Sequence, residues 1–160
     1  MRKLTGQEME RLGKRLKNAR EKRALSTKDV HKMIDTLLSV KDLTAYENGK
    51  VMMGGITMLR FCRLYGLDIR AFFSEDYDGR FDTCANEDVN EKDECLRNKF
   101  RRNIHNLRYE LKYTQAEFGK RTGLRYSSFS YYEAGKRIPS SYALYRICMA
   151  ANVSIFDLFK

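Results

Sequence analysis

Residues 114–124 read TQAEFGKRTGL, and this stretch carries the signals of a short helix followed by a tight turn. Thr114 is a good N-cap, and Glu117, three residues later, completes a capping box for a helix over 115–122. Gly123 can take the left-handed conformation that ends such a helix. A third helix is predicted over about 126–134, and Gly135 stops it. The pattern therefore predicts two short helices joined by a glycine turn.

Helical periodicity continues on both sides of this pair. Apolar residues recur every three or four positions over 97–111, which predicts an amphipathic first helix. They are Phe100, Ile104, Leu107 and Leu111. A fourth helix is predicted from Pro139 to Ala151, and Ser154 caps a last short one. Because strand-like alternation is weak and the chain has one proline, this half is predicted to be an all-α domain of five helices.

The same pattern occurs a second time, nearer the N-terminus. YENGK at 46–50 returns as YEAGK at 132–136, an offset of 86 residues, and upstream the offset becomes 88. An insertion of two residues between Lys32 and Tyr46 accounts for the change. Each copy holds roughly 60 residues, which is enough for a small domain. The sequence therefore predicts two tandem five-helix domains, a first copy at 1–73 and a second copy at 97–160.

The charges divide along the same lines. The 160 residues carry a net charge of +10. Residues 1–73 carry +8 and residues 97–160 carry +9. The stretch 74–96 carries −7 and is predicted to be an acidic linker. Basic domains are attracted to polyanions, and nucleic acid is the usual one. From charge alone, a solvated surface that favours solubility is the alternative interpretation.

Several classes of protein are disfavoured by the composition. No apolar run of 18 residues occurs, so we expect no membrane partner. Cys62 and Cys148 occupy equivalent apolar positions in the two copies and are predicted to be buried thiols, which fits a reduced, cytoplasmic protein. The sequence contains no phosphate loop, no cysteines at zinc-type spacing and no nucleophile pattern. We therefore expect no metal, no cofactor and no catalytic residue, and a protein that is not an enzyme.

Residues 114–139 resemble the helix-turn-helix of the Cro and phage-repressor family, also called the Xre family. Gly119 is the small residue needed where the second and third helices cross, and Gly123 supplies the positive φ of the turn. Apolar residues recur at the family's spacing: Phe118, Leu124, Phe129 and Tyr132. The resemblance covers 99–159 and, more weakly, 12–73. It implies a lambda-repressor-like fold of five helices in each copy.

The resemblance also implies which residues contact double-stranded DNA. The third helix of this family enters the major groove. The implied base-edge contacts are Arg125, Tyr126, Ser127 and Tyr131. The implied phosphate contacts are Gln115, Lys136 and Arg137. Arg108 and Glu133 match a structural ion pair that ties the first helix to the end of the third, and the first copy retains it as Arg20 and Glu47.

The first copy departs from the family pattern around its turn. Leu37 stands in place of the turn glycine, His31 in place of the small residue and Thr27 in place of the glutamine. The contacts predicted for this copy are therefore weaker; they come from Ser39, Lys41 and Lys50. We expect the first copy to keep the fold with an altered helix-turn-helix that contributes little to sequence preference.

Two functions fit these observations. The first is a sequence-specific transcriptional regulator, in which a homodimer or the two copies of one chain present paired reading helices to a palindrome. The second is a protein-binding adaptor of the antitoxin or phage-inhibitor type, which uses the same fold to bind a protein partner. Salt dependence distinguishes them, because DNA binding weakens steeply as ionic strength rises.

Overall fold

The computed structural model describes residues 3–34, 38–77 and 88–160. Within these ranges the chain forms α-helices, one C-terminal 3-10 helix at Phe156–Phe159, and no strand. The helices are α1 (Gly6–Lys22), α2 (Thr27–Met33), α3 (Val40–Glu47), α4 (Gly55–Tyr65), α5 (Ile69–Phe73), α6 (Asp93–Glu110), α7 (Gln115–Thr122), α8 (Tyr126–Glu133) and α9 (Ser141–Ala151). The predicted all-α class is confirmed.

The capping box predicted for Thr114 and Glu117 is present before α7. Two similar boxes pair Thr5 with Glu8 before α1 and Ser26 with Asp29 before α2. A further capping box begins α3, where the Ser39 hydroxyl accepts a hydrogen bond from the Asp42 N–H at 3.1 Å. Side-chain oxygens that satisfy free amides in this way are the main local reason that short helices begin where they do.

Two helices end in the left-handed conformation. Gly123 ends α7 as predicted, with a φ of 65°, and Asn152 ends α9 with a φ of 53°. The first helix of the second copy differs from the prediction, since it begins at Asp93 and not at 97. Asp93 and Glu94 lie in its first turn, where the helix dipole favours negative charge, and Leu96 is fully buried.

The described residues divide into two compact units. The C-terminal unit comprises Gly54–Leu59 and Glu91–Lys160, and the N-terminal unit comprises the described residues of Arg2–Met53 and Arg60–Asn90. Helix α4 contributes residues to both. The boundaries predicted from sequence, with domains at 1–73 and 97–160, stay a prediction.

The core of the C-terminal unit is aromatic. The rings of Phe118 and Phe129 meet edge to face with their centroids 4.8 Å apart, and Phe100 stacks on Phe159 at 5.3 Å. All four side chains are fully buried or nearly so. Because Phe118 lies on α7 and Phe129 on α8, their contact fixes the relative position of the two helices that carry the candidate site.

The N-terminal unit also has its own core. Leu16, Val30 and Leu43 are buried among its first three helices, and Phe61 stacks on Tyr65 of α4 with ring centroids 5.4 Å apart. Buried arginines contact backbone carbonyls in this unit: Arg15 donates to Phe72 O at 2.7 Å, Arg63 to Asp88 O at 2.7 Å and Arg60 to Val89 O at 3.1 Å. The predicted burial of Cys62 and Cys148 is confirmed.

Candidate nucleic-acid interface

Helix α8 turns one face to the core and the other to solvent. Phe129 is fully buried and Tyr132 is 9% exposed. The residues implied as base-edge contacts are all exposed: Arg125, Tyr126, Ser127 and Tyr131. Arg125 is the N-cap residue of α8, and its side chain makes no capping hydrogen bond. The structure therefore brings the four implied base contacts to the side of α8 that a ligand can reach.

The turn between α7 and α8 is tightly built. A Cβ added to Gly119 would lie 3.1 Å from Leu124 O, so even an alanine there would need the turn to shift slightly. The guanidinium of Arg146 lies directly over Gly123, and its Nε donates to Thr122 O at 2.9 Å. Arg146 thus caps the last turn of α7, a role that the sequence analysis missed. Its recurrence in the first copy, as Arg60, was the available signal.

Tyr131 and the loop that follows α8 form one cluster. The Cζ of Arg137 lies 5.3 Å from the centroid of the Tyr131 ring, and the Nζ of Lys136 lies 5.9 Å from it. The N–H of Lys136 also donates to Tyr131 O at 2.9 Å. Cations are attracted to the face of an aromatic ring. The exposed Tyr131 ring therefore orients the two residues implied as phosphate contacts.

Glu133 joins three helices at the base of the site. Its carboxylate receives two hydrogen bonds from Arg108 of α6, the second at 3.1 Å, and Arg108 also donates to Tyr113 O at 2.7 Å. Gln115 of α7 donates its side-chain amide to Glu133 at 2.7 Å. Glu133 lies at the C-terminal end of α8, so these bonds hold α6 and α7 against the end of that helix.

The charge state of Glu133 follows from this environment. Burial by itself raises the pKa of the Glu133 carboxyl, but the hydrogen bonds from Arg108 and Gln115 and the Arg108 charge outweigh it, so the pKa lies below its ordinary value. The hydrogen bond to Glu133 raises the pKa of Arg108 despite partial burial. Both partners are therefore charged at neutral pH.

Gln115 is positioned at the start of α7 by this bond. A glutamine amide carries two N–H groups, and the hydrogen bond to Glu133 uses one of them. The side chain is half-buried. Its remaining N–H and the free backbone amides of the first turn of α7 are donors for an anion.

The corresponding region of the N-terminal unit keeps the ion pair and changes its surroundings. Arg20 donates to Glu47 at 2.6 and 2.9 Å and to Leu25 O at 2.7 Å, as Arg108 does to Glu133 and Tyr113. His31 lies on the surface of α2 with its Nδ1 2.8 Å from Leu38 O.

The weaker contacts predicted for the first copy lie at and after the start of α3. The Ser39 hydroxyl is engaged in the cap of that helix, while Lys41 and Lys50 are exposed. Leu37, which stands in place of the turn glycine, lies outside the described residues. Ser39 is therefore less available to DNA than its position in the sequence indicates.

The described residues offer neither a metal site nor a membrane-spanning helix. Among residues 3–34, 38–77 and 88–160, no group of three or more His, Cys, Asp or Glu side chains is arranged to hold a metal ion. No helix in this described part of the chain combines the length and apolar content needed to cross a membrane.

Comparison with known proteins identifies the same part of the chain. Residues 104–158 match the family described as Helix-turn-helix, the Cro type, which binds DNA and often does so as a dimer. The match begins within α6, includes α7, α8 and α9 and ends in the 3-10 helix. No curated protein and no solved structure matches the chain. The helix-turn-helix interpretation is therefore supported for the second copy, and the divergent first copy stays a prediction.

Proposed function

We propose that the protein is a sequence-specific transcriptional regulator that binds double-stranded DNA through its C-terminal unit, with α8 in the major groove. The observation that carries the proposal is the match of residues 104–158 to helix-turn-helix domains. It falls on the helices whose solvent-facing side carries exposed cations and tyrosines.

Base recognition is proposed for the exposed face of α8. The Arg125 side chain has no hydrogen-bond or ion-pair partner among the described residues, so its guanidinium is available for a bidentate contact with a guanine. Ser127 can donate to or accept from several base edges, and the rings of Tyr126 and Tyr131 can pack on thymine methyl groups. These four residues would determine which sequence is preferred.

Phosphate binding is proposed for both ends of the α7–α8 pair. Gln115 and the amides at the start of α7 would hold one phosphate, helped by the helix dipole. Lys136 and Arg137, oriented by Tyr131, would hold another. Such contacts fix the register of a protein on the duplex without reading its sequence.

A regulator of this type acts by binding alone, and we propose neither a catalytic step nor a cofactor. Two reading helices, supplied by a homodimer or by the two copies of one chain, would engage half-sites about 10 bp apart. The proposed location is the cytoplasm, because a regulator of this type must reach the DNA that it controls. Control would come from the protein's abundance or from a protein partner.

The experiment is a selection of bound duplexes from a randomised pool, followed by fluorescence anisotropy titration of the selected duplex. We expect one enriched motif, and an affinity that falls steeply between about 50 and 200 mM salt because counterions are released on binding. Failure to enrich any motif, together with affinity for DNA that does not depend on salt, would favour the protein-binding adaptor instead.

A further inference from the structure

Arg101 of α6 lies against the loop that follows α8. A Cβ added to Gly135 would lie 2.9 Å from Arg101 Cδ, so the aliphatic stem of the arginine passes over this glycine. Gly135 has a φ of 71° and directly precedes Lys136 in the chain. The stem therefore carries the guanidinium to the neighbourhood of the two residues implied as phosphate contacts.

The Arg101 guanidinium is not used by any residue that the structure describes. Its side chain is exposed, and it has no hydrogen bond or ion pair within the part of the chain that the structure describes. Two other arginines of the same helix are engaged, since Arg102 donates to Lys160 O at 3.2 Å and Arg108 pairs with Glu133. The charge of Arg101 is thus available to a ligand.

In the described part of the chain, no carboxylate is paired with the cations around Gly135. Lys136 and Arg137 contact the Tyr131 ring, and no ion pair involves either of them among the described residues. The nearest acid along α8, Glu133, is already bound by Arg108 and Gln115. Three like charges on one small surface repel one another, and a bound phosphate relieves that repulsion.

The first copy cannot carry the same group. With the upstream offset of 88 residues, Arg101 corresponds to Gly13. A Cβ added to Gly13 would lie 2.7 Å from the backbone nitrogen of Gly49, the counterpart of Gly135. Helix α1 therefore packs directly on the loop after α3, whereas in the second copy an arginine stem occupies the corresponding place. The arginine distinguishes the copy that matches the DNA-binding family.

We propose that Arg101 is a third phosphate contact, which binds the DNA backbone beside Lys136 and Arg137 and thereby docks α6 as well as α8 on the duplex. This inference rests on the proposed function. Guanidinium groups suit phosphate because they offer several donors in one plane. The contact carries no sequence information, so it strengthens binding to all duplexes alike.

The test is a titration of the full-length protein against a labelled duplex of unselected sequence, at several salt concentrations. Arg101→Met keeps the apolar stem and removes the charge, whereas Arg101→Lys keeps a charge. Arg102→Met is the matched control on the same helix, and Lys136→Ala reports on the proposed interface itself. Thermal unfolding of each variant is measured in parallel.

We expect Arg101→Met to weaken binding by about three- to tenfold near 0.1 M salt and to reduce the slope of log affinity against log salt by about 0.9. Arg101→Lys should retain most of the affinity, and Arg102→Met should change it little. If Arg101→Met unfolds at a lower temperature than wild type, Arg101→Lys becomes the decisive variant. Loss of DNA binding by Arg101→Lys, with its thermal stability unchanged, would contradict a charge-based contact.

Three further results would overturn the inference in distinguishable ways. Wild-type affinity and salt slope for Arg101→Met, with clear weakening for Lys136→Ala, would exclude the Arg101 contact and leave the proposed function intact. No change in the affinity or salt slope of either variant would contradict both the Arg101 contact and the proposed function. Equal losses for Arg101→Met and Arg102→Met would indicate an effect of net charge, and would also overturn a specific contact.

Discussion

At the scale of single residues, Glu133 determines how the candidate interface is held together. It accepts hydrogen bonds from Arg108 and Gln115, which lie on two different helices. A buried ion pair adds little net stability compared with apolar residues, but removal of one partner leaves the other charge buried and unpaired. The role of this carboxylate is therefore to fix the geometry of α6, α7 and α8 against one another.

Replacement of the Glu133 carboxylate by a neutral amide tests how much its charge contributes to stability. Glu133→Gln should lower the free energy of unfolding at pH 7 by about 3 kcal/mol, because the Arg108 guanidinium loses its charged partner. The pKa of Glu133 is lowered in the folded protein, so its contribution is present above its unfolded pKa of about 4.3 and is lost as the pH falls through the lower folded pKa. Urea unfolding of wild type and variant should therefore converge at low pH.

Glu110→Gln is the control for that measurement, since Glu110 is an exposed glutamate at the end of α6 and no bond to its side chain is found among the described residues. It should change stability little at any pH. A deficit for Glu133→Gln that stays constant from pH 7 to below the folded pKa would show that charge is not the cause.

The second prediction concerns Tyr65, whose hydroxyl is buried without a hydrogen-bond partner in the described residues. Burial, with the nearby Glu47 charge, raises the pKa of this phenol well above its ordinary value. An unsatisfied buried hydroxyl costs about 1–3 kcal/mol. Tyr65→Phe should therefore leave the free energy of unfolding unchanged or raise it, as measured by urea unfolding. A loss of stability would reveal a hydrogen bond to this hydroxyl in solution.

At the scale of elements, the turn between α7 and α8 is constrained both by its backbone conformation and by a neighbouring side chain. Gly123 has a positive φ, and the Arg146 guanidinium covers it. Gly123→Ala should lower the free energy of unfolding by about 1–2 kcal/mol, because non-glycine residues are strained in the left-handed region. The measurement is thermal or urea unfolding of the full-length protein.

Two further variants give this prediction its controls. Gly123→Asn should lose less stability than Gly123→Ala, since asparagine tolerates the left-handed region better than alanine. Gly6→Ala, at a helical glycine with no neighbour within 4 Å of an added Cβ, should be neutral or stabilising. Equal losses at positions 6 and 123 would contradict the importance of the turn conformation.

The start of α6 supplies another prediction at this scale. Leu96 is fully buried, although it lies in the stretch expected from the sequence to be an acidic linker. Leu96→Ala should cost about 2–5 kcal/mol, as large-to-small changes in a core do. Cys95→Ala, at the exposed neighbouring residue, should cost much less. If both variants unfolded at the wild-type temperature, residues 93–96 would be a linker after all.

Local chemistry explains which elements could be predicted from the sequence. Capping boxes and the turn glycine act within a few residues, so Thr114, Glu117 and Gly123 gave the bounds of α7 correctly. The start of α6 was missed because Asp93 and Glu94 suit a linker and a helix N-terminus equally well. The contacts of Arg146 and Arg101 join positions distant in the chain, and no periodicity reports them.

At the scale of the whole molecule, the net charge of +10 is only partly a property of the surface. Arg15, Arg60 and Arg63 of the N-terminal unit are between 2% and 8% exposed, and each donates to backbone carbonyls. Their charges are therefore poorly placed to bind phosphate. The cations of the C-terminal unit discussed above, Arg101, Arg125, Lys136 and Arg137, are exposed. We accordingly expect DNA affinity to depend mainly on the C-terminal unit.

Parallel selections by the full-length wild type and Arg125→Ala test most directly whether α8 reads base edges. Both proteins would be offered the same pool of randomised duplexes. Wild type should enrich one motif, and the variant should enrich that motif with the preference relaxed at one base pair and an affinity for the wild-type site lower by about 1–3 kcal/mol. Thermal unfolding should not change, since the Arg125 side chain makes no cap. An unchanged motif from the folded variant, or no motif from wild type, would contradict base reading by α8.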